Sequence, residues 1–150
     1  MSIKLLPQYA DLPHAVPGPL TAPFWAGCAR GELLYQRCGR CAAATFPPAE
    51  HCRECLAVDQ RWERGSGHGV LYSWTVVWRP VTPAFTPPYA PAIVTLDEGY
   101  QMVSNVIGAD VDQLRLNLPL KVTFRAVGNE LHLPYFEPAD QLSNSTEVSS

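Results

Sequence analysis

The chain has 150 residues, of which 47% are hydrophobic and 17% charged, with a net charge of −3. That is enough apolar matter for one domain, or for two small ones sharing a core, and it excludes wholesale disorder. Fifteen prolines recur along it; each lacks a backbone donor and clashes with the preceding helical turn, so long helices, bundles and coiled coils are excluded too.

Residues 1–17 are proline-punctuated and without period, and read as an extended arm. In GPLTAPFWAGCARGELLY (18–35), Thr21 is placed to cap a short helix with Pro23 just inside it. Phe24, Trp25 and Cys28 then share one face before Gly31 ends the helix. Residues 36–60 carry four of the five cysteines. Gly65, Gly67 and Gly69 read as a flexible joint, after which period-two alternation begins in GVLYSWTVVW (69–78), with Val70, Tyr72, Trp74, Val76 and Trp78 on one face. A proline-rich loop (80–91) leads to AIVTL (92–96), the turn Asp97-Glu98-Gly99 and QMVSNVI (101–107), an antiparallel hairpin. VDQLRL, with Asp110 before it, reads as a helix of one or two turns. LKVTFRAV (120–127), Gly128-Asn129 and ELHLPYF (130–136) form a second hairpin. Five strands with a short helix between the third and fourth is the pattern of an OB-type barrel. The polar residues 138–150 are expected to be disordered.

Cys38-x-x-Cys41 and Cys52-x-x-Cys55 are the strongest signal. Each pair puts two thiolates on one tight turn, and two turns brought together by a hairpin of the intervening AAATFPPAEH complete a four-sulfur site. Disulfides or free thiols are the alternative, and a cytosolic setting disfavours disulfides. Such sites hold zinc or iron, with zinc favoured, and four ligands leave no open position, so the metal is expected to be structural. His51 reads as a solvated neighbour of a ligand. Cys28, with no base or electropositive surroundings in the pattern, reads as a packed helix residue rather than a nucleophile.

The expected layout is mainly β: arm and short helix (1–35), zinc ribbon (36–64), five-stranded OB-fold barrel (65–137) and tail (138–150). On the stretches 24–41, 46–55, 65–80 and 87–108 and the closing LPYFEP, the chain resembles the acyl-CoA-associated zinc-ribbon and OB-fold family, domain of unknown function 35. Three places depart from the pattern. Ala42 and Leu56 stand where glycine commonly follows a knuckle, and Asn117-Leu118-Pro119 stands where a glycine-containing turn often precedes the fourth strand.

The resemblance implies a non-catalytic accessory subunit. It would dock on a thiolase-like, lipid-transfer-type enzyme of acyl-CoA metabolism, or on a MaoC-like enoyl-CoA hydratase, in a hetero-oligomer that binds or channels acyl-CoA. The residues agree: there is no nucleophile motif, phosphate loop or dinucleotide fingerprint, and the four histidines are scattered. Aromatics beside arginines suit an interface or an adenine ring and its phosphates, which singles out Phe24, Trp25, Arg37, Phe46, Arg79, Phe85 and Tyr89 as acyl-CoA or partner surface; the alternative is that Phe24, Trp25 and Tyr35 simply pack the helix onto the barrel. A single-stranded nucleic-acid module is the competing class for an OB barrel, but its groove needs a basic track. Residues 65–150 carry four bases against eight acids. Without a signal peptide or an apolar run of about 18 residues, the chain is expected to be cytoplasmic, with no membrane and no nucleic acid among its partners.

Overall fold

The computed structural model describes residues 3–8, 12–13, 15–128 and 131–139. The expected helix is α1 (Ala22–Ala29), with Phe24, Gly27 and Cys28 buried. Thr21 precedes it without capping it: the Thr21 hydroxyl instead accepts from the Gly18 N–H at 3.1 Å. A three-stranded sheet follows, in the order β2 (Ala44–Thr45), β1 (Leu34–Cys38), β3 (Gln60–Arg64). The ribbon therefore differs from the single linking hairpin read from the sequence. The first cysteine pair turns β1 into β2, while the second precedes β3, which returns along all of β1 from Leu34↔Arg64 to Cys38↔Gln60. QRWER offers one large apolar residue to a partly exposed strand, so no alternation marks it.

The two knuckles are built alike. The Cys38 N–H donates to the Ala43 carbonyl and the Ala42 N–H to that of Cys38; the Cys52 N–H donates to Ala57 and the Leu56 N–H to Cys52, all at 2.9–3.0 Å. Ala42 and Leu56 each adopt φ = +65°, as does Asn117 ahead of the fourth barrel strand. These are the three places where the sequence departs from glycine, and the backbone has kept the left-handed geometry that glycine would take without strain.

The second sheet closes into a barrel in the order β4 (His68–Trp74), β5 (Ala90–Leu96), β6 (Gln101–Val106), β8 (Leu131–Pro138), β7 (Pro119–Val127). The linker before it is tighter than the flexible joint expected: Gly69 lies inside β4, where a Cβ would run into the Thr95 carbonyl, and at Gly67 (φ +76°) it would meet Val122. β4 carries a bulge between Leu71 and Ser73 and ends at Trp74, beyond which the alternation expected through Trp78 continues only as the Thr75 N–H to Pro91 bond and the isolated pair Val77↔Tyr89. Of VDQLRL only one 3-10 turn, Val111–Gln113, forms, with the Asp110 N–H donating to the Gln113 side chain at 2.7 Å. β8 runs through Pro138, and the remainder of the expected tail, 140–150, lies outside the described residues, as does Asn129 of the second hairpin turn.

The barrel interior holds Leu71, Val94, Met102, Val106, Leu120 and Phe136, and one core continues through Phe24, Cys28, Leu33 and Tyr35 into the helix and ribbon. The arm belongs to it as well. The Leu5 N–H donates to Ala109, its carbonyl accepts from Gly108, and its side chain is fully buried. Among the described residues no helix is long and apolar enough to cross a membrane.

Leu5→Ala removes a core side chain rather than part of a loose arm and should cost about 3 kcal/mol, measured as a shift in the urea midpoint; a shift near zero would detach the arm from the core. Leu56→Gly relieves left-handed strain at an exposed site and is expected to stabilise the metal-loaded protein by about 0.5–1 kcal/mol after the entropy glycine adds to the unfolded chain. Ala42→Gly should do the same, and thermal unfolding of both variants measures it.

Candidate metal centre and the groove beside it

The four thiols of Cys38, Cys41, Cys52 and Cys55 converge, their sulfurs all within 4.8 Å of one another. Cys38 Sγ lies 3.6 Å from Cys55 Sγ, and Cys41 Sγ lies 3.5 Å from Cys52 Sγ. A tetrahedral ion with metal–sulfur bonds near 2.3 Å sets ligand sulfurs about 3.8 Å apart, whereas a disulfide needs about 2.05 Å. The donor set and spacing fit a four-sulfur metal site. None of the five cysteines is joined in a disulfide.

The knuckle backbone prepares the sulfurs for a cation. N–H groups of Cys41 and Arg40 point at Cys38 Sγ, at 3.5 and 3.3 Å, and pull that thiol down to about 7. The N–H groups of Cys55 and Glu54 lower Cys52 in the same way, burial opposing them. Cys41 receives an N–H from Ala43 that lowers it, yet the crowding of Cys52 and the other sulfurs pushes it up to about 12. Thiolates gathered this closely repel one another, and a bound dication removes the conflict. His51 is exposed and stands outside the sulfur cluster. Cys28 is fully buried in the core, which raises its thiol to about 12 and leaves it a packed residue.

Arg37 ties the first knuckle to the core. Its guanidinium donates to the Ala42 carbonyl at 2.6 Å, to the Tyr35 hydroxyl at 2.7 Å and to Glu63 at 3.1 Å. From Tyr35 a run of rings crosses to the barrel and helix. Tyr35 stacks on Tyr100 at 5.0 Å and Tyr100 on Phe46 at 5.7 Å; Phe46 meets Phe24 edge-on at 5.3 Å, and Phe24 meets Trp25 at 5.0 Å. Burial, reinforced by the Glu98 charge, holds the Tyr100 phenol above its ordinary range.

The run ends at a groove of about 280 Å³ over the β6–β8 seam, lined by Phe24, Trp25, Phe46, Val103, Leu133 and Pro134 among others. It continues past Pro47 to Ile93. Val103 is 72% exposed. Phe24, Trp25 and Phe46, three of the aromatics singled out in the sequence, therefore meet at one site, with Phe24 itself buried. Phe85 and Tyr89 stack on each other at 5.3 Å in the proline loop and Arg79 is exposed near its start, apart from the groove. Arg37 lies across the ribbon with its nitrogens engaged by protein groups.

Sequence reading missed Tyr100, Val103, Pro134 and Gln8. Gln8 is buried in the arm and clamps the proline loop, its amide donating to the Thr86 carbonyl at 2.9 Å and accepting from the Thr86 N–H at 2.6 Å. Only the alternation in QMVSNV hinted at any of these.

A model of the rubredoxin-like zinc ribbon domain of ChsH2 matches residues 25–59, and one of the ChsH2 C-terminal OB-fold domain matches residues 62–125. A probable enoyl-CoA hydratase alpha subunit of Thermomonospora curvata is 35% identical over 77% of this chain, which spans 37% of that subunit's length. A solved Ltp2-ChsH2(DUF35) aldolase superposes with a TM-score of 0.77 and 31% identity over 84% of this chain and 99% of that one. A DUF35 domain-containing scaffold protein of Methanothermobacter thermautotrophicus is 32% identical over 67% of this chain and 77% of its own length. Likeness of that extent, across ribbon and barrel alike, makes this chain a member of the DUF35 family of zinc-ribbon and OB-fold proteins.

Proposed function

We propose that this chain is a non-catalytic accessory subunit that docks on a thiolase-like acyl-CoA enzyme and helps bind or channel its acyl-CoA substrate. The observation that carries this reading is the 31% identity to the chain matched in the Ltp2-ChsH2(DUF35) aldolase, along nearly its whole length. The surface supports it. Trp25, Phe46 and Val103 offer one apolar face, and the proline loop with Phe85, Tyr89 and Arg79 offers a second, of the aromatic and arginine character that interfaces favour. A MaoC-like enoyl-CoA hydratase is the second reading of the partner, favoured by the similarity to a hydratase alpha subunit. A nucleic-acid module is disfavoured by the four bases against eight acids in residues 65–150.

Within that role Cys38, Cys41, Cys52 and Cys55 hold a zinc ion. Zinc there supplies a cross-link between two turns that have little core of their own, not an open coordination site for chemistry. Trp25, Phe46, Arg79, Phe85 and Tyr89 form the partner or acyl-CoA surface, and Phe24 supports it from beneath.

The chain should bring down a thiolase-like or hydratase-like subunit in stoichiometric amount when tagged in its native host and examined by mass spectrometry. Recovery of nothing, or of nucleic acid, overturns the accessory role. Cys38→Ser is expected to lose most bound zinc by elemental analysis and to release the partner in the same purification; a variant keeping both full zinc and full complex would sink the structural-metal assignment.

A further inference from the structure

β6 has an unused edge. It pairs with β5 along six positions, from Gln101↔Thr95 to Val106↔Ala90, but with β8 only at Val106↔Phe136. The Leu96 N–H donates to the Tyr100 carbonyl across the turn, which fixes the alternation of the ladder. Met102, Ser104 and Val106 exchange hydrogen bonds with β5, while Gln101, Val103 and Asn105 turn their backbone groups toward β8. The pairing at Asn105 agrees, because its partner there is Pro91, which has no N–H to give.

On the β8 side the ladder stops for a chemical reason. The Ile107 N–H reaches the Phe136 carbonyl at 2.8 Å, but two residues earlier Pro134 has no donor. The Pro134 carbonyl is already taken by the Ser104 hydroxyl at 2.8 Å. Pro134 thus leaves the Val103 carbonyl without a ladder donor, and β6 and β8 form no pair at this level that would engage the Val103 N–H. The side-chain oxygen of Asn105, which also lines the groove, is buried without a hydrogen-bond partner among the described residues. This edge is the floor of the groove whose walls are Trp25 and Phe46 on one side and Leu133 and Pro134 on the other.

We propose that an extended apolar segment of the partner enzyme adds as a strand along this edge of β6; the proposal rests on the accessory-subunit reading. The free main-chain donors and acceptors call for another backbone. The lining carries no charged residue, which disfavours a phosphate-bearing ligand. The recessed floor admits one thin strand and keeps out the β6 edge of a second barrel, which lies in its own groove. The open stretch, Gln101 to Val103, accommodates about three residues of strand, roughly 10 Å, beside Val103, Phe46 and Trp25; from Ser104 onward β8 lies against β6.

The test is hydrogen–deuterium exchange on the complex purified from the native host with its enzyme subunit, compared with the chain alone. Exchange in peptides covering 101–106 should slow on complex formation. Val103→Pro deletes a donor that the β5 ladder does not use, so the barrel should survive with its melting temperature changed by no more than about 2 °C. Its affinity for the enzyme subunit should fall at least about tenfold, while Val103→Thr should bind like the unaltered protein. Unchanged exchange at 101–106 in an intact complex, or full binding by a folded Val103→Pro, overturns the strand while leaving the accessory role standing. If no enzyme subunit co-purifies, the accessory role itself fails and the strand with it. A homodimer of this chain in sedimentation that Val103→Pro abolishes assigns the edge to a second copy and overturns the proposal. Should Val103→Pro fail to fold, the exchange measurement on the unaltered complex decides alone.

Discussion

The stack of Tyr35, Tyr100, Phe46, Phe24 and Trp25 is the contact on which the molecule depends. One ring comes from β1, one from just before β6, one from just after β2 and two from α1, so ribbon, barrel and helix share one interior instead of meeting across a surface. Each ring buries a large apolar area, and offset or edge-on pairs add roughly 0.5–1.5 kcal/mol beyond that burial. A ribbon of some thirty residues that could not stand on its own core thereby borrows the barrel's.

Arg37 extends that dependence to the sulfur cluster. It holds the Ala42 carbonyl and the Tyr35 hydroxyl at once, so the loop that shapes one pair of thiols is hydrogen-bonded to the first ring of the stack. The arrangement of the cysteines and the shape of the groove are linked through a short chain of named contacts, each within hydrogen-bonding or stacking distance. Ala42, in that chain, and Leu56, its counterpart in the second knuckle, sit where the backbone N–H must reach back to a cysteine carbonyl, which is why the strained conformation persists without glycine.

What was legible in the sequence was whatever is encoded locally. The cysteine pairs are legible because both sulfurs of a knuckle come from four consecutive residues. The barrel strands are legible because alternation and turn residues mark them one at a time, and Gly99 marks the turn between β5 and β6. β3 was hidden because it buries little and so needs no apolar period, and the bulge after Leu71 was hidden because only the pairing with Val94 and Ile93 defines it. Leu5 and Gln8 looked like residues of a loose arm; their partners, Ala109 and Thr86, lie far along the chain. The groove was half visible. Phe24, Trp25 and Phe46 were recognisable as a cluster, but the seam beneath them opens because Pro134 faces β6, and that follows from topology rather than from any stretch of sequence.

The placement of the arm governs the order of events when the chain folds. Gln8 binds Thr86 across 78 positions, and its N–H meets the Tyr135 hydroxyl at 3.3 Å across 127. During synthesis the contact of Gln8 with Tyr135 has no partner until β8 has been made. The two knuckles can gather an ion early, since all four thiols emerge within eighteen residues of one another, whereas closure of the barrel waits for β8. Contacts of such long range are slow to form because the loop must close before any reward is gained. The knuckles are thus the first part able to close, on an ion, while the packing of the ribbon waits for the barrel and the arm is among the last to settle.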